Sequence, residues 1–136
     1  MLIAHLRICG ALLLALSLLH LVFPARFQWR QDLGKLTLLN RQIFYVHTFF
    51  LCVVLVMMGL LCLFGATALV APSPLGVWVA AGLTIFWQLR WVSQHFVYDS
   101  SLWRGKPLET IVHVMFSLLW TYLCVIYGWL LWHQLH

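Results

Sequence analysis

Charge is the scarcest property of this 136-residue chain: Asp, Glu, Lys and Arg together make up 8% of it, and only three residues are acidic. Soluble domains usually carry about 25% charged residues, so this sequence cannot clothe itself in a water-compatible surface. Other absences narrow the chemistry. The four cysteines, Cys9, Cys52, Cys62 and Cys124, never fall as C-x-x-C, which removes zinc-ribbon and thioredoxin spacings. Each lies in an apolar segment and reads as a small hydrophobe. There is no G-x-S-x-G, no H-E-x-x-H and no glycine-rich phosphate loop, so hydrolase, zinc-protease and nucleotide-binding readings lose their usual signatures. No internal repeat or low-complexity tract is present, and no pair of glycines forms G-x-x-x-G.

What fills the chain is apolar sequence, at 64% of residues. It falls into four segments, which predict one membrane domain over residues 1–136 with helices at about 2–23, 37–70, 75–97 and 108–132. Arg7 followed by an apolar run imitates a signal peptide, but the run ends in Phe-Pro-Ala-Arg without a small-x-small cleavage site, so it reads as a retained helix. Pro24 closes the first segment. The second apolar run, Ile43 to Ala71, would be about 44 Å long as one straight helix against a hydrocarbon core of about 30 Å. It must tilt, protrude or end early near Gly65. Pro107 suits the first turn of the last helix, and Glu109 suits the positive end of its dipole. The expected fold is all-α: an antiparallel four-transmembrane-helix bundle with short loops.

The net charge of +5 is concentrated. Arg26, Arg30, Lys35, Arg41, Arg104 and Lys106 flank two long connections, residues 24–36 and 98–107, where Phe27, Trp29 and Trp103 look like interfacial anchors. A basic stripe on a soluble protein would suggest nucleic acid; here juxtamembrane charge explains it, and no nucleic-acid partner is expected. The positive-inside rule places both long connections in the cytoplasm and both termini on the opposite side.

Within this frame four histidines, His20, His47, His95 and His113, fall one per helix within a turn or two of the same cytoplasmic level. An ionisable side chain inside a bilayer is a functional-site candidate by default. Helical phase groups them with other polar residues: Thr84, Gln88, Trp91, His95 and Asp99 on the third helix; Glu109, His113, Ser117, Trp120 and Cys124 on the fourth; Asn40, His47 and Met58, beside Phe44, on the second. His20 shares a face with Leu16, Leu13 and Cys9. Arg90 falls on the opposite face of the third helix, placed to snorkel to head groups or to meet an anionic group. His5, His133 and His136 read as solvated terminal residues.

Neutral imidazole ligates Fe, Cu and Zn, and bundles build metal and haem sites from facing helices. The expected cofactor is therefore a metal ion (Fe, Cu or Zn) or a b-type haem. His20, His47, His95 and His113 are the candidate ligands, with Glu109 as a carboxylate ligand. Phe44, Trp91 and Trp120 would pack the cofactor, and Gln88 and Asp99 would hold imidazole N–H groups. One glutamate is too few for a ferritin-like di-iron site. Three functions follow. The first is a redox or metal-binding membrane protein, working alone or as anchor subunit of an oxidoreductase, with the lipid bilayer and a quinone or partner membrane subunit as partners. The second is a non-catalytic structural or assembly subunit, in which Gly10, Gly59, Gly82 and Gly128 allow close helix approach. The third is a small transporter or proton path, which the nearly apolar opposite half of the chain disfavours.

Overall fold

Two of the four prolines and two hydroxyl caps set the principal helix starts. In the computed structural model, which describes residues 1–26 and 28–136, the Ser73 hydroxyl accepts the Gly76 N–H at 2.9 Å and Pro74 opens α6 (Pro74–Phe96). Pro107 opens α7 (Pro107–Leu135), where its missing N–H costs nothing. Thr37 caps α4 (Leu38–Phe64), its hydroxyl accepting the Asn40 N–H at 3.4 Å. The first helix, α1, runs Leu2–Leu19. Short helices α2 (Phe23–Arg26), α3 (Trp29–Asp32) and α5 (Ala66–Val70), with 3-10 turns at Leu33–Lys35 and Ser100–Leu102, complete the chain. No strand occurs among the described residues. Phe27, read above as an interfacial anchor, lies outside them.

The helices α1, α4, α6 and α7, of 18, 27, 23 and 29 residues, are each long and apolar enough to cross a membrane, with mean hydropathies of 2.1, 2.5, 1.3 and 1.8. Two boundaries differ from expectation for identifiable reasons. The first helix stops at Leu19 rather than Phe23, because the Pro24 ring cannot donate to the carbonyl of His20 and clashes with it. The chain tightens before it reaches the proline: Leu21 and Val22 donate to Leu18 and Leu19, three residues back, both at 3.0 Å. The second long helix ends at Phe64. Gly65 donates to the Leu61 carbonyl at 2.8 Å, and a Cβ at Gly65 would stand 2.6 Å from that oxygen, so no side chain fits there.

The chain divides into two compact units, Ala4–Ala66 and Met1–Ile3 with Thr67–His136. In the first, α1 and α4 run antiparallel and meet at glycine: a Cβ on Gly10 would lie 2.7 Å from both the Gly59 carbonyl oxygen and the Leu63 nitrogen. The Ser17 hydroxyl then donates to the Cys52 carbonyl at 3.3 Å, two turns further along. Gly10 and Gly59 therefore permit the close approach expected of them. Gly82 and Gly128 do not, since nothing lies within 4 Å of a Cβ built on either.

In the second unit α6 and α7 form an antiparallel hairpin, bonded at both ends and in the middle. Gln134, near the end of α7, donates to the carbonyls of Leu69 and Ala71 and accepts the Ser73 N–H, which closes the Ala71-Pro-Ser-Pro74 turn. The Thr84 hydroxyl donates to the Tyr127 carbonyl at 2.9 Å, and Trp91 Nε1 to the Thr121 hydroxyl at 2.9 Å. Trp87 stacks on Trp120 with ring centroids 5.4 Å apart and planes 19° from parallel. This ring packing and these hydrogen bonds tie the two helices together along their length.

Candidate functional site

The four histidines divide three to one by their own hydrogen bonds. His20, His47 and His95 each point Nδ1 at the carbonyl four residues earlier, at 2.8 Å to Leu16, 2.8 Å to Ile43 and 2.9 Å to Trp91. A carbonyl only accepts, so the neutral ring carries its proton on Nδ1 and keeps the lone pair on Nε2. His136 makes the same bond to Trp132 at the chain's end, so the bond orients a ring without by itself marking a site. His20 also meets the Phe23 ring at 4.7 Å, and His95 the Trp91 ring at 4.3 Å.

His113 is held the other way. The Trp120 indole N–H donates to Gln94 Oε1 at 3.2 Å, which fixes the orientation of the Gln94 amide. The Gln94 Nε2 then donates to His113 Nδ1 at 2.9 Å. The ring proton of a neutral His113 must therefore sit on Nε2, the reverse of the other three. Trp103, read above as an interfacial anchor, covers the imidazole face at 3.8 Å and 11°. The His95 and His113 ring centroids are 6.2 Å apart, so α6 and α7 do bring this pair together.

The remaining candidates scatter. Gln88 and Trp91 line a groove of about 380 Å³ with Val92, Thr121, Cys124 and Val125, and Gln88 bonds no histidine. Asp99 caps the turn after α6, accepting the Ser101 N–H at 2.7 Å; hydrogen bonds from the Ser101 hydroxyl and N–H hold its carboxyl below the ordinary carboxylate range. Phe44 packs edge-on against Trp29 at 4.7 Å. Glu109 is half-buried in the first turn of α7, and Trp120 is buried between the Gln94, Trp87 and Phe116 contacts. Among the described residues no group of three or more His, Cys, Asp or Glu side chains is placed to hold a metal ion. His5 and His133 are half-buried rather than fully solvated.

The inward face of α7 is buried at Trp120, Leu123, Tyr127, Leu130 and Gln134; of the expected stripe only Trp120 is buried, with Glu109, His113, Ser117 and Cys124 half-buried. That of α6 is turned by about one residue: Ala80, Leu83, Thr84, Trp87 and Gln94 are buried, whereas Gln88, His95 and Asp99 are exposed. Polar residues mark two stripes on this helix, about 100° apart. The stripe that carries Trp87 wins, because its indole finds a stacking partner across the interface. Gln94, one position before the exposed His95, is the buried polar residue at this end of α6. Arg90 shifts with it. Instead of facing away, its guanidinium lies 4.6 Å from the Trp120 ring centroid and 5.7 Å from that of Tyr98. No family model matches the chain, and no curated protein or solved structure is significantly similar to it.

Proposed function

We propose that the chain is a multi-pass membrane protein whose four long helices form an antiparallel bundle, with an imidazole site near the cytoplasmic face for a b-type haem or an Fe, Cu or Zn ion. The observation that carries this reading is the repetition of one arrangement at three of the four histidines expected at this level: His20, His47 and His95 are each oriented by a backbone bond that leaves Nε2 as a ligand atom, where a single such bond, as at His136, would not mark a site. Ligand rings in metal sites are commonly held through the other nitrogen in this way. His113 fits the role less well, since its Nδ1 is taken by Gln94. It serves as the polar anchor that holds the start of α7 against the end of α6 through Gln94. When bound, such a group would supply one-electron or Lewis-acid chemistry; the chain's own part would be to orient three imidazoles, two of which also meet an aromatic ring, Phe23 at His20 and Trp91 at His95. The donor or acceptor is a quinone or a partner membrane subunit.

The bilayer assignment is supported by large apolar side chains left exposed along every long helix, among them Leu18, Phe64, Trp78 and Leu118. The basic residues Arg26, Arg30, Lys35, Arg41, Arg104 and Lys106 at the two long connections support a cytoplasmic placement for them. A second reading, a structural subunit, is favoured by the Gln94–His113–Trp103 arrangement, which accounts for one histidine without any cofactor.

Oxidised and reduced absorption spectra of protein purified in mild detergent, beside elemental analysis, test the first reading. A Soret band or a stoichiometric metal that His95→Ala and His47→Ala abolish, and His113→Ala retains, is the expected result. A colourless, metal-free protein that stays so after haem or metal is supplied during synthesis transfers the function to the second reading. Tags on both termini test sidedness, and cytoplasmic termini would overturn it.

A further inference from the structure

Three buried donors in the α6–α7 hairpin lack any hydrogen-bond partner among the described residues: Arg90 Nη1, Trp87 Nε1 and the Ser117 hydroxyl. Two of them meet one ring: Arg90 stands over Trp120 and Trp87 stacks on it. Ser117 lies three residues before Trp120 on α7, on the helix face that also carries His113. Buried polar groups are almost always satisfied, so three orphans on one helical hairpin, two of them against one ring, call for a reason. The guanidinium is the strongest of them. It carries a permanent charge, it forms no ion pair with a described residue, and the aromatic faces of Trp120 and Tyr98 compensate a cation only in part.

We propose that Arg90, Ser117 and Trp87 form a binding site for a phosphate oxyanion on the α6–α7 hairpin. All three groups donate and none of them needs to accept, which suits a ligand rich in acceptor oxygens and carrying negative charge. Guanidinium–phosphate pairing is the strongest and most directional of the pairings open to Arg90. The depth fits as well. Arg90 lies six residues before the last residue of α6, about 9 Å along the axis. Its guanidinium lies 5.7 Å from the Tyr98 ring just past the helix end, which brings the charged tip closer to the interface than its Cα. The phosphate belongs either to an anionic phospholipid of that leaflet or to a soluble phosphate compound. The lipid source rests on the membrane reading above; the site itself is independent of the histidine proposal, whose spectrum and metal content Arg90 should not alter.

Thermal unfolding in nanodiscs tests this with three arms: phosphatidylcholine alone, phosphatidylcholine doped with phosphatidylglycerol, and phosphatidylcholine with inorganic phosphate titrated in solution. The expected result is a dose-dependent rise in midpoint in the second or third arm, whichever identifies the source. Arg90→Gln should weaken the apparent affinity roughly tenfold to a hundredfold, and Lys106→Gln, an exposed cation of the same hairpin, less than threefold. Ser117→Ala, which leaves the buried charge in place, should weaken it by several-fold and keeps the test decisive if Arg90→Gln does not fold. No rise in either arm, an unchanged affinity in both variants at the site, or a loss in Lys106→Gln as large as in Arg90→Gln overturns the proposal.

Discussion

Alanine at Gly10 should cost stability, although alanine is the better helix former. The new Cβ would stand 2.7 Å from the Gly59 oxygen and from the Leu63 nitrogen, both backbone atoms of a continuous helix. Neither can rotate away, so α1 and α4 must part by a few tenths of an ångström along their contact. Overpacking of this kind costs about 1–3 kcal/mol, against about 1 kcal/mol regained from helix propensity. Gly82→Ala is the matched control, because nothing lies within 4 Å of its Cβ and only the propensity gain applies. The two variants should therefore differ by roughly 1–3 kcal/mol, or about 3–10 °C in midpoint. Thermal unfolding in detergent followed by far-UV circular dichroism reads the difference. Equal midpoints, or a Gly10→Ala protein more stable than Gly82→Ala, would refute the backbone crossing at that point.

Gln134→Leu should destabilise by about 2–4 kcal/mol, since the Leu69 and Ala71 carbonyls and the Ser73 N–H lose a shared partner; hydrogen exchange at residues 69–76 should accelerate before any other region. Gln94→Leu should cost about 1–3 kcal/mol for the orphaned Trp120 N–H, while in Gln94→Glu a carboxylate cannot donate to His113, and nitrogen NMR should find the His113 proton moved from Nε2 to Nδ1. Asp99 should titrate below the ordinary aspartate value of about 3.9. Its folded pKa is depressed, so its contribution to the Ser100–Leu102 turn is complete above the unfolded value and fades as pH falls through the folded one. In Ser101→Ala the carboxyl carbon shift should titrate closer to the ordinary value; an unchanged titration would dissociate Asp99 from that turn.

Composition made the four long helices legible, and local chemistry located most of their ends: Thr37, Pro74 and Pro107 all begin helices, and Gly65 ends one. Pro24 marks the stop of the first helix, but the helix ends a turn earlier because the ring's steric reach extends to the carbonyl four residues before it. The candidate site was less legible. Polarity picks out the residues that need a partner but not the direction in which the partner lies. On α6 that left two stripes to choose between, and the choice fell to a contact across the interface, Trp87 on Trp120. Gln134 illustrates the same gap from the other side. Nothing near the C-terminus signals its role; the need sits sixty residues earlier, in a proline-bounded turn whose carbonyls have no helix to bond to.

The Trp87–Trp120 stack has an optical consequence. Two indoles at 5.4 Å with nearly parallel planes couple their electronic transitions, and the coupling falls away steeply once they separate. The hairpin thus carries an intrinsic exciton signal in its ultraviolet dichroism, present when α6 and α7 are docked and absent when they are not. Any event that pries these helices apart, in detergent or in a bilayer, can be timed from that signal without attaching a label.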